Sequence, residues 1–357
     1  MNKKKILLIS SSTGGHALPV FELAKKLVNN NYEVVIVHTG SAIENEVFSD
    51  FKSHIIRSGK TNTKGIARTI YEYLKVVYST IISALLLIRE KPNLIISKGG
   101  FAAVPLLFWA KIFNAPFFIH ESDIVMGRSN SVFADGAKKI FVSFPVECYP
   151  KRYPNMIYSG LIIRDFPAKN RSSRSCKKIL IIGGSQGARA LSDIITGILP
   201  ELLSRYVIVH STGLGNYGIT PELKNKLSEE QILRYVEFPF SYSRLEAEMI
   251  DADLIISRAG ANAIGEIAKL GKPSIIVPYP YAASDHQVKN AKYLEKVGAT
   301  ILIKQDLLKA DTLLERINLI MSDDRNSAVL GRNINNLIKT DGATVIVQEI
   351  NRFFGVK

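Results

Sequence analysis

Near its start the chain reads Ile6-Leu7-Leu8-Ile9-Ser10-Ser11-Ser12-Thr13-Gly14-Gly15-His16, and in its second half it reads Ile179-Leu180-Ile181-Ile182-Gly183-Gly184-Ser185-Gln186-Gly187-Ala188-Arg189. Each segment passes from a short apolar run through a glycine-rich turn into a helical pattern, as in a parallel βαβ unit. Such a turn presents backbone N–H groups at a helix N-terminus, where the helix dipole favours anions. Two such turns facing each other across a cleft would suit a diphosphate-bearing nucleotide substrate.

The same alternation of apolar runs and helical patterns continues along the chain, which is typical of parallel sheets covered by helices. A basic, serine-rich stretch at 164–178 predicts a linker between two doubly wound α/β domains. Predicted strands lie near 5–10, 33–38, 94–97, 116–120, 139–143, 156–159, 178–183, 206–211, 235–238, 253–257, 273–277 and 300–302. Predicted helices lie near 17–29, 65–90, 102–113, 129–136, 189–203, 243–250, 261–270, 285–297, 305–321 and 342–354.

The size, net charge and apolar content of the chain limit the classes of protein to which it can belong. With 46% hydrophobic residues in 357, the chain can bury two cores of ordinary domain size. The formal net charge is +14, most of it in residues 1–160, which indicates either a basic solvated surface or an anionic partner such as a membrane or a nucleic acid. Neither zinc-ligand spacing nor an RNA-stacking motif supports nucleic acid. The longest uncharged apolar run, Val76–Ile88, has 13 residues, too few to span a bilayer, so we expect a soluble or peripheral protein.

Three polar residues follow buried apolar runs and are candidates for chemistry. A histidine at a helix start is more often structural, but His16 lies beside a turn suited to anions, which favours a general base kept neutral by the helix dipole. Glu266, about a turn and a half into its predicted helix, could accept hydrogen bonds from both hydroxyls of a ribose. The alternative is that it is an ordinary glutamate on a helix surface. Gln287 follows the next strand and could bind sugar hydroxyls at the same sheet edge.

In their order along the chain, the motifs resemble those of the MurG family, the UDP-N-acetylglucosamine transferases of peptidoglycan synthesis. They are Thr13-Gly14-Gly15-His16, Ser97-Lys98-Gly99-Gly100-Phe101, His120-Glu121-Ser122-Asp123, the second glycine-rich turn, Ser257-Arg258-Ala259-Gly260 and Asp285-His286-Gln287-x-x-Asn290-Ala291. The resemblance covers the whole chain and implies a GT-B fold with two Rossmann-like domains facing across a cleft. An acceptor- and membrane-binding domain would span 1–163, a UDP-GlcNAc-binding domain 164–340, and a helix at 341–357 would return to the first domain.

The resemblance also implies an activity. UDP-GlcNAc would donate GlcNAc, with inversion, to the C4 hydroxyl of MurNAc on undecaprenyl diphosphate, converting lipid I to lipid II at the cytoplasmic side of the cell membrane. We expect no cofactor and no metal ion, so backbone amides and a helix dipole would stabilise the leaving UDP. His16 is the candidate base and Glu121 the alternative. The implied donor contacts are Thr13, Gly14, Gly15, Arg164, Ser185, Gln186, Ala261, Glu266 and Gln287, whereas Gly99 and Gly100 belong to an implied acceptor loop.

Several positions depart from the family pattern. Ser11 and Ser12 replace the two leading glycines of the first turn, which restricts its backbone. Asp123 stands where many members have asparagine, and a carboxylate there would repel a diphosphate unless it is turned away. Leu161–Ile163 replaces the usual Asn-Pro-Val before the arginine. The segment Phe238–Phe240, where the family backbone reads uracil, contains a proline and cannot be aligned.

Residues 64–88 carry two stripes at helical spacing. We predict that the apolar stripe packs into the core; its members are Ile66, Ile70, Leu74, Val77, Ile81, Leu85 and Ile88. The second stripe alternates basic and aromatic residues, which suits an anionic membrane surface, although a solvated helix face is the alternative. Its members are Lys64, Arg68, Tyr71, Lys75 and Tyr78.

Other functions stay open at this level. A UDP-sugar transferase with another acceptor, or a UDP-GlcNAc 2-epimerase, would use the same fold. The Ser11-Ser12 change would also suit a degenerate, membrane-bound scaffold. An enzyme is favoured because the chain retains His16, Arg164, Ser185, Glu266 and Gln287.

Overall fold

The computed structural model describes residues 3–11, 14–57, 66–167, 176–184, 187–215, 217–337 and 341–356, with the backbone alone for 14 and 66–69. The chain forms two compact units, which we call the N-terminal and C-terminal domains. The N-terminal domain comprises Met1–Arg164 and Thr340–Lys357, and the C-terminal domain comprises Asp165–Lys339.

The N-terminal domain is built on a parallel sheet. Its strands in chain order are β1 (Lys5–Ile9), β2 (Glu33–His38), β3 (Ser53–Ile55), β4 (Leu94–Ser97), β5 (Phe117–Glu121), β6 (Lys139–Val142) and β7 (Met156–Tyr158). The order across the sheet is β3-β2-β1-β4-β5-β6-β7, and every pair is parallel. The direction of winding reverses between β1 and β4, so a crevice suited to ligands lies at their carboxyl ends. The helices before the linker are α1 (Gly14–Asn29), α2 (Ala42–Val47), α3 (Ile66–Glu90), α4 (Ala103–Ile112) and α5 (Arg128–Phe133).

The C-terminal domain repeats this plan. Its strands are β8 (Lys178–Ile182), β9 (Val207–Ser211), β10 (Tyr235–Phe238), β11 (Leu254–Ser257), β12 (Ser274–Ile276) and β13 (Ile301–Leu302). They are parallel in the order β10-β9-β8-β11-β12-β13, with the reversal between β8 and β11. Its helices are α6 (Arg189–Leu203), α7 (Pro221–Lys224), α8 (Glu229–Leu233), α9 (Tyr242–Asp251), α10 (Ala261–Lys269), α11 (His286–Lys296), α12 (Ala310–Met321) and α13 (Asp324–Asn335).

The last helix, α14 (Gly342–Phe354), packs against α1 in the N-terminal domain. Ile346 and Ile350 are fully buried in the same core cluster as the apolar side chains of α1 and β1. The Tyr32 hydroxyl donates to Asn351 Oδ1 at 2.5 Å, and Lys26 donates to Thr344 Oγ1 at 2.6 Å. The end of the chain therefore contributes to the first core.

The predicted fold class, with two doubly wound parallel α/β domains, is confirmed, and each predicted strand corresponds to an observed one. The pattern missed β3 and α2, as well as α7, α8 and α13. The β3 strand is a three-residue edge strand, Ser53-His54-Ile55, and its two outer residues are exposed. Such a strand carries little hydrophobic signal, because burial is what generates the apolar pattern.

The prediction that the apolar stripe of α3 packs into the core is wrong. Its described members are each more than half exposed, at 55–62%: Ile70, Leu74, Val77, Ile81, Leu85 and Ile88. The buried face instead carries Ser79 and Ser83, whose hydroxyls donate to the helix's own carbonyls at 2.9 and 2.7 Å. These small residues allow close helix packing, and their hydroxyls are satisfied without water. Helical periodicity identifies an apolar face but does not say what covers it.

Within the described residues, one helical segment, Ile70–Glu90, is long and apolar enough to cross a bilayer by length and composition alone. Its Thr80 carbonyl accepts a hydrogen bond from Trp109 Nε1 of α4 at 2.8 Å, and Leu86 and Leu87 near its end are buried. One side of α3 is therefore attached to the N-terminal domain while the other is exposed.

Candidate functional site

In the N-terminal domain, the candidate residues gather at the carboxyl ends of β1, β4 and β5, around the point where the winding reverses. Ser10 and Ser11 follow β1, Lys98 and Gly99 follow β4, and Glu121 ends β5. Parallel strands direct their carboxyl ends to one sheet edge, which is why motifs far apart in sequence meet here.

Glu44 anchors the residue that enters the first turn. The carboxylate is fully buried and accepts hydrogen bonds from Ser10 Oγ at 2.9 Å, from Thr39 Oγ1 at 2.7 Å and from Ser41 Oγ at 3.0 Å. The amides of Thr39 and Ser41 donate to it at 3.2 Å each. Burial alone raises the pKa of Glu44, but these hydrogen bonds outweigh it and hold the pKa below its ordinary value. The charged carboxylate thereby fixes Ser10 to α2.

Ser11 packs directly on the glycine loop that follows β4. Gly99 and Gly100 have φ values of +91° and +85°, and a Cβ on Gly100 would lie 2.1 Å from the Ser11 side chain. Glycine is therefore required at 100 for both conformation and space. The two amides already donate within the protein, Gly99 to Ser97 Oγ at 3.0 Å and Gly100 to Ser129 Oγ at 2.8 Å. The structure thus gives this pair a conformational role beside the first turn.

Glu121 organises the loop between β5 and α5. Its Oε2 atom accepts from Gly127 N at 2.8 Å and from Asn130 Nδ2 at 3.0 Å, and its Oε1 atom accepts from Asp123 N at 3.2 Å. Burial and the neighbouring Asp123 raise the pKa of Glu121, while the hydrogen bonds and the charge of Lys98 oppose the rise. Both oxygens are engaged by protein donors.

Lys98 and His120 are buried beside Glu121. The Lys98 ammonium donates to Ser122 Oγ and is only 6% exposed. Burial lowers the pKa of Lys98 to about 8, although the carboxylates of Glu121 and Asp123 act against this shift. Burial, together with the charges of Lys98 and His16, holds the pKa of His120 well below its ordinary value. His120 is thus neutral, and its Nε2 atom lies 3.4 Å from Ser143 Oγ.

His16 is the third residue of α1 and is half-buried. Its charge reaches His120, so it lies near the Lys98–Glu121 group at the same sheet edge. The first turn of α1 carries no acidic residue that would compete for its positive end. The imidazole is therefore partly accessible and sits where an anionic or hydroxylic substrate could approach.

In the C-terminal domain, the second glycine-rich turn follows β8 and leads into α6. Gly187 N donates to Gly184 O at 3.0 Å, closing the turn, and both residues have positive φ, +84° and +82°. The loop after β9 crosses it closely, since a Cβ on Gly213 would lie 2.2 Å from Gly187 N. The N-cap residue of α6, Ala188, supplies no side-chain cap, and the first turn of the helix carries no acidic residue that would compete for its positive end.

The remaining C-terminal candidates surround the carboxyl ends of β11 and β12. Ala261 is the first residue of α10, which has neither a side-chain cap nor an acid in its first turn, and Glu266 lies buried on the same helix. Gln287 lies in the first turn of α11, and its Oε1 atom accepts from Tyr279 N at 3.0 Å. Arg258 Nη1 donates to the Val277 carbonyl at 3.1 Å and ties the two loops together.

The structure does not test every predicted contact. Arg164 is buried, 4% exposed, at the end of the N-terminal domain, and Gly15 is exposed at the start of α1. Gly14 is described by its backbone alone. Other predicted contacts lie outside the described residues or side chains: Thr13, Lys64, Arg68, Ser185 and Gln186.

One carboxylate pair that the sequence analysis passed over is Asp251-Ala252-Asp253, an Asp-x-Asp triplet of the kind that can bind a divalent cation. Asp251 accepts from Lys178 Nζ at 2.6 Å, and Asp253 accepts from Lys178 N at 2.8 Å. Both lie before β11, at the sheet edge opposite the glycine-rich turn. Among the residues described, no group of three or more metal-binding side chains is assembled.

On α3, Tyr71 and Tyr78 are exposed, at 58% and 64%. Lys75 lies over the Tyr71 ring, 4.2 Å from its centroid, and donates to Glu72 Oε1 at 3.2 Å. The described part of the basic and aromatic stripe therefore lies at the surface, next to the exposed apolar stripe.

The sequence pattern gave no role to Glu44 or Asn130, and it placed Lys98 only within the motif of the implied acceptor loop. Lys98 carried a usable signal, because a lysine between a buried strand and two glycines is unusual for a solvated side chain. Glu44 and Asn130 resemble ordinary helix residues, and only the folded chain brings them to Ser10 and Glu121.

Comparison with known proteins agrees with this geometry. The glycosyltransferase family 28 N-terminal domain matches residues 6–142, and the family 28 C-terminal domain matches residues 178–346. The structure superposes on the crystal structure of Acinetobacter baumannii MurG with a TM-score of 0.76 at 23% identity, covering 98% of this chain and 99% of that one. The structure of CalG4, the calicheamicin glycosyltransferase, gives a TM-score of 0.72 at 13% identity, covering 99% of each chain. These two likenesses show the fold.

Sequence similarity is more specific. The UDP-N-acetylglucosamine–N-acetylmuramyl-(pentapeptide) pyrophosphoryl-undecaprenol N-acetylglucosamine transferase of Clostridium kluyveri is 33% identical over 326 residues, which are 88% of this chain and 90% of that protein. With this identity over nearly the full length of both proteins, the chain belongs to the MurG family of N-acetylglucosamine transferases.

Proposed function

We propose that the chain transfers GlcNAc from UDP-GlcNAc to the MurNAc C4 hydroxyl of undecaprenyl-diphosphate-linked lipid I, with inversion, and so makes lipid II for peptidoglycan. The observation that carries the proposal is the 33% identity, over nearly the full chain, to an enzyme named for this transfer. The fold alone does not choose the acceptor, because a calicheamicin glycosyltransferase shares it.

For the donor, we assign the diphosphate to the turn between β8 and α6 and the ribose to Glu266. The N-termini of α6 and α10 support this assignment, because their N-cap residues supply no side-chain cap, their first turns carry no acid, and backbone amides at a helix start bind anions without a metal ion. Gln287 would contact the sugar from the first turn of α11. The remaining proposed donor contacts are Thr13, Gly14, Gly15, Arg164, Ser185, Gln186 and Ala261.

For the chemistry, we assign the general base to His16. Direct displacement needs a group that takes the proton of the acceptor hydroxyl while UDP leaves. Glu121 fits this role less well, because both of its oxygens already accept hydrogen bonds that hold its loop. His16 is half-buried at the start of α1, where its imidazole is partly accessible to an acceptor hydroxyl.

For the location, we propose that the protein lies on the anionic cytoplasmic face of the cell membrane. The α3–α4 surface supports this; we define it as Ile70, Leu74, Val77, Ile81, Leu85, Ile88, Val104, Phe108 and Ile112, all more than two-fifths exposed. Exposed tyrosines and Lys75 border it on α3, a combination typical of helices that lie in a membrane interface. Because one side of α3 packs on α4, we expect the helix to lie on the bilayer.

The experiment is a transfer assay with labelled UDP-GlcNAc and a lipid I analogue. The proposal predicts a labelled disaccharide lipid that forms only when both substrates are present. Conversion of UDP-GlcNAc without an acceptor would instead indicate an epimerase, and failure to convert it under either condition would indicate a scaffold.

A further inference from the structure

A buried lysine lies at the carboxyl ends of the strands in the N-terminal domain, at a position where buried side chains are usually apolar. Lys98 follows β4 at the point where the winding reverses, and it is 6% exposed. Its hydrogen-bond partner is the neutral hydroxyl of Ser122. Burying an ammonium costs several kcal/mol unless opposite charge compensates it, so this position calls for an explanation.

Two carboxylates supply that opposite charge. Glu121 and Asp123 both act on Lys98, and Lys98 acts in return on Glu121. The donors that hold Glu121 are neutral: the amides of Gly127 and Asp123, and the side chain of Asn130. Among the described residues, Lys98 is a buried cation that acts on both carboxylates of this loop. The group carries a formal charge of −1 with Lys98 and would carry −2 without it.

We propose that Lys98 is a charge-compensating residue of the substrate site, which offsets Glu121 and Asp123 and thereby permits a diphosphate-bearing substrate to approach the N-terminal sheet edge. The inference rests on the proposed function and deepens it, because it explains how the chain tolerates an aspartate at 123. Lys98 acts through the local field and is a positioning residue, not a group that touches the reacting atoms.

The pH dependence follows from the charges that face Lys98. Its pKa is about 8, with the carboxylates of Glu121 and Asp123 favouring the ammonium. His120, His16 and Tyr149 are other titratable groups nearby. His120 is neutral throughout this range, and Tyr149, whose hydroxyl donates to the Asp123 carbonyl, stays neutral because burial raises its pKa. As pH rises through about 8 the ammonium is lost, so affinity for a diphosphate should fall between pH 7 and 8.5.

The test is a charge-restoring pair of variants. Lys98→Met removes the cation and should raise the KM for UDP-GlcNAc, for a lipid I analogue or for both by about tenfold. Lys98→Met/Asp123→Asn returns the group to −1 and should restore most of that loss, without the wild-type fall in affinity above pH 7. Separate KM measurements for the two substrates identify which diphosphate is affected.

Equal impairment of the single and double variants, or unchanged KM for both substrates, would overturn the inference. Asp123→Asn alone keeps Lys98 and so avoids a destabilising change; it should lower KM, and an unchanged or higher value would also count against the inference. Kd values for UDP-GlcNAc alone and for the lipid I analogue alone require no turnover. If the inference is right, the Kd is highest for Lys98→Met, close to the wild type for the double variant and lowest for Asp123→Asn. This ranking holds even if the wild-type chain transfers no GlcNAc.

Discussion

At the scale of single residues, charged side chains are buried at the carboxyl ends of the strands in both domains. Glu44, Lys98 and Glu121 are buried charged groups that shape the N-terminal edge. At the carboxyl ends of β11 and β12, Arg258 and Glu266 are also buried; Arg258 precedes α10 and Glu266 lies within it. Groups assigned to touch substrate should alter kinetic constants without altering the unfolding temperature, which gives two separate tests.

The first test concerns the donor. Glu266→Ala removes the proposed acceptor for the ribose hydroxyls, and loss of hydrogen bonds to a charged group costs roughly 1.5–3 kcal/mol. The KM for UDP-GlcNAc should therefore rise at least tenfold while the thermal unfolding temperature stays close to that of the wild type. Glu295→Ala, on the exposed side of α11, is the matched control and should leave KM unchanged. An unaltered donor KM in Glu266→Ala would remove Glu266 from the site.

The second test concerns the base. His16→Ala should lower kcat by about a hundredfold or more, the usual range for a positioned general base. The Kd for UDP, measured by calorimetry, should change little because the backbone amides of the first turn stay in place. Near-normal kcat would exclude His16 and direct attention to Glu121. A loss of UDP affinity with intact kcat would place His16 among the binding residues.

At the scale of elements, the end of α3 is fixed by one carboxylate. The Glu90 side chain is 2% exposed and accepts from Lys52 at 2.7 Å, from Lys5 at 3.1 Å and from His54 Nε2 at 3.0 Å. Burial alone raises the pKa of Glu90, but these partners lower it to about 2. The cluster joins α3 to β1 and β3 at the sheet edge away from the substrate site.

This cluster predicts a pH dependence of stability. Because the folded pKa lies below the unfolded value of 4.5, the contribution of Glu90 is complete above about pH 5 and is lost as pH falls from 4.5 towards 2. Glu90→Gln should destabilise the N-terminal domain by about 2 kcal/mol at pH 7, less than the full shift implies because Lys52 is half-exposed and screened. Calorimetry should show the difference from the wild type shrinking below pH 4; a constant difference would contradict the assignment.

The exposed face of α3 gives a test that separates membrane binding from core packing. Ile81→Asn/Leu85→Asn changes two side chains that are 55% and 57% exposed, so the unfolding temperature should barely move. Binding to anionic vesicles in a sedimentation assay should weaken about thirtyfold, since the two side chains each lose roughly 1 kcal/mol of interfacial burial. Leu233→Asn, 83% exposed in the C-terminal domain, is the control. A large drop in unfolding temperature with unchanged vesicle binding would contradict the account.

At the scale of the whole molecule, sequence patterns predicted the two parallel sheets because the central strands that build them are short buried apolar runs. They also located the candidate motifs, since glycine-rich turns and polar residues follow those runs directly. The patterns failed on α3, because there the apolar face is not the buried face: the helix buries Ser79 and Ser83 and exposes its apolar stripe. They also could not show that Glu44 lies against Ser10, or Asn130 against Glu121, because such contacts depend on tertiary folding.

The central claim is transfer of one GlcNAc to lipid I with inversion. Its most direct test is the linkage of the product formed by the purified wild-type protein from UDP-GlcNAc, an α-linked donor, and a lipid I analogue. The account predicts a single GlcNAc attached to C4 of MurNAc, with a β-anomeric signal in the NMR spectrum of the isolated lipid. An α-linked product, or UDP release without any new glycosidic bond on the lipid, would contradict it.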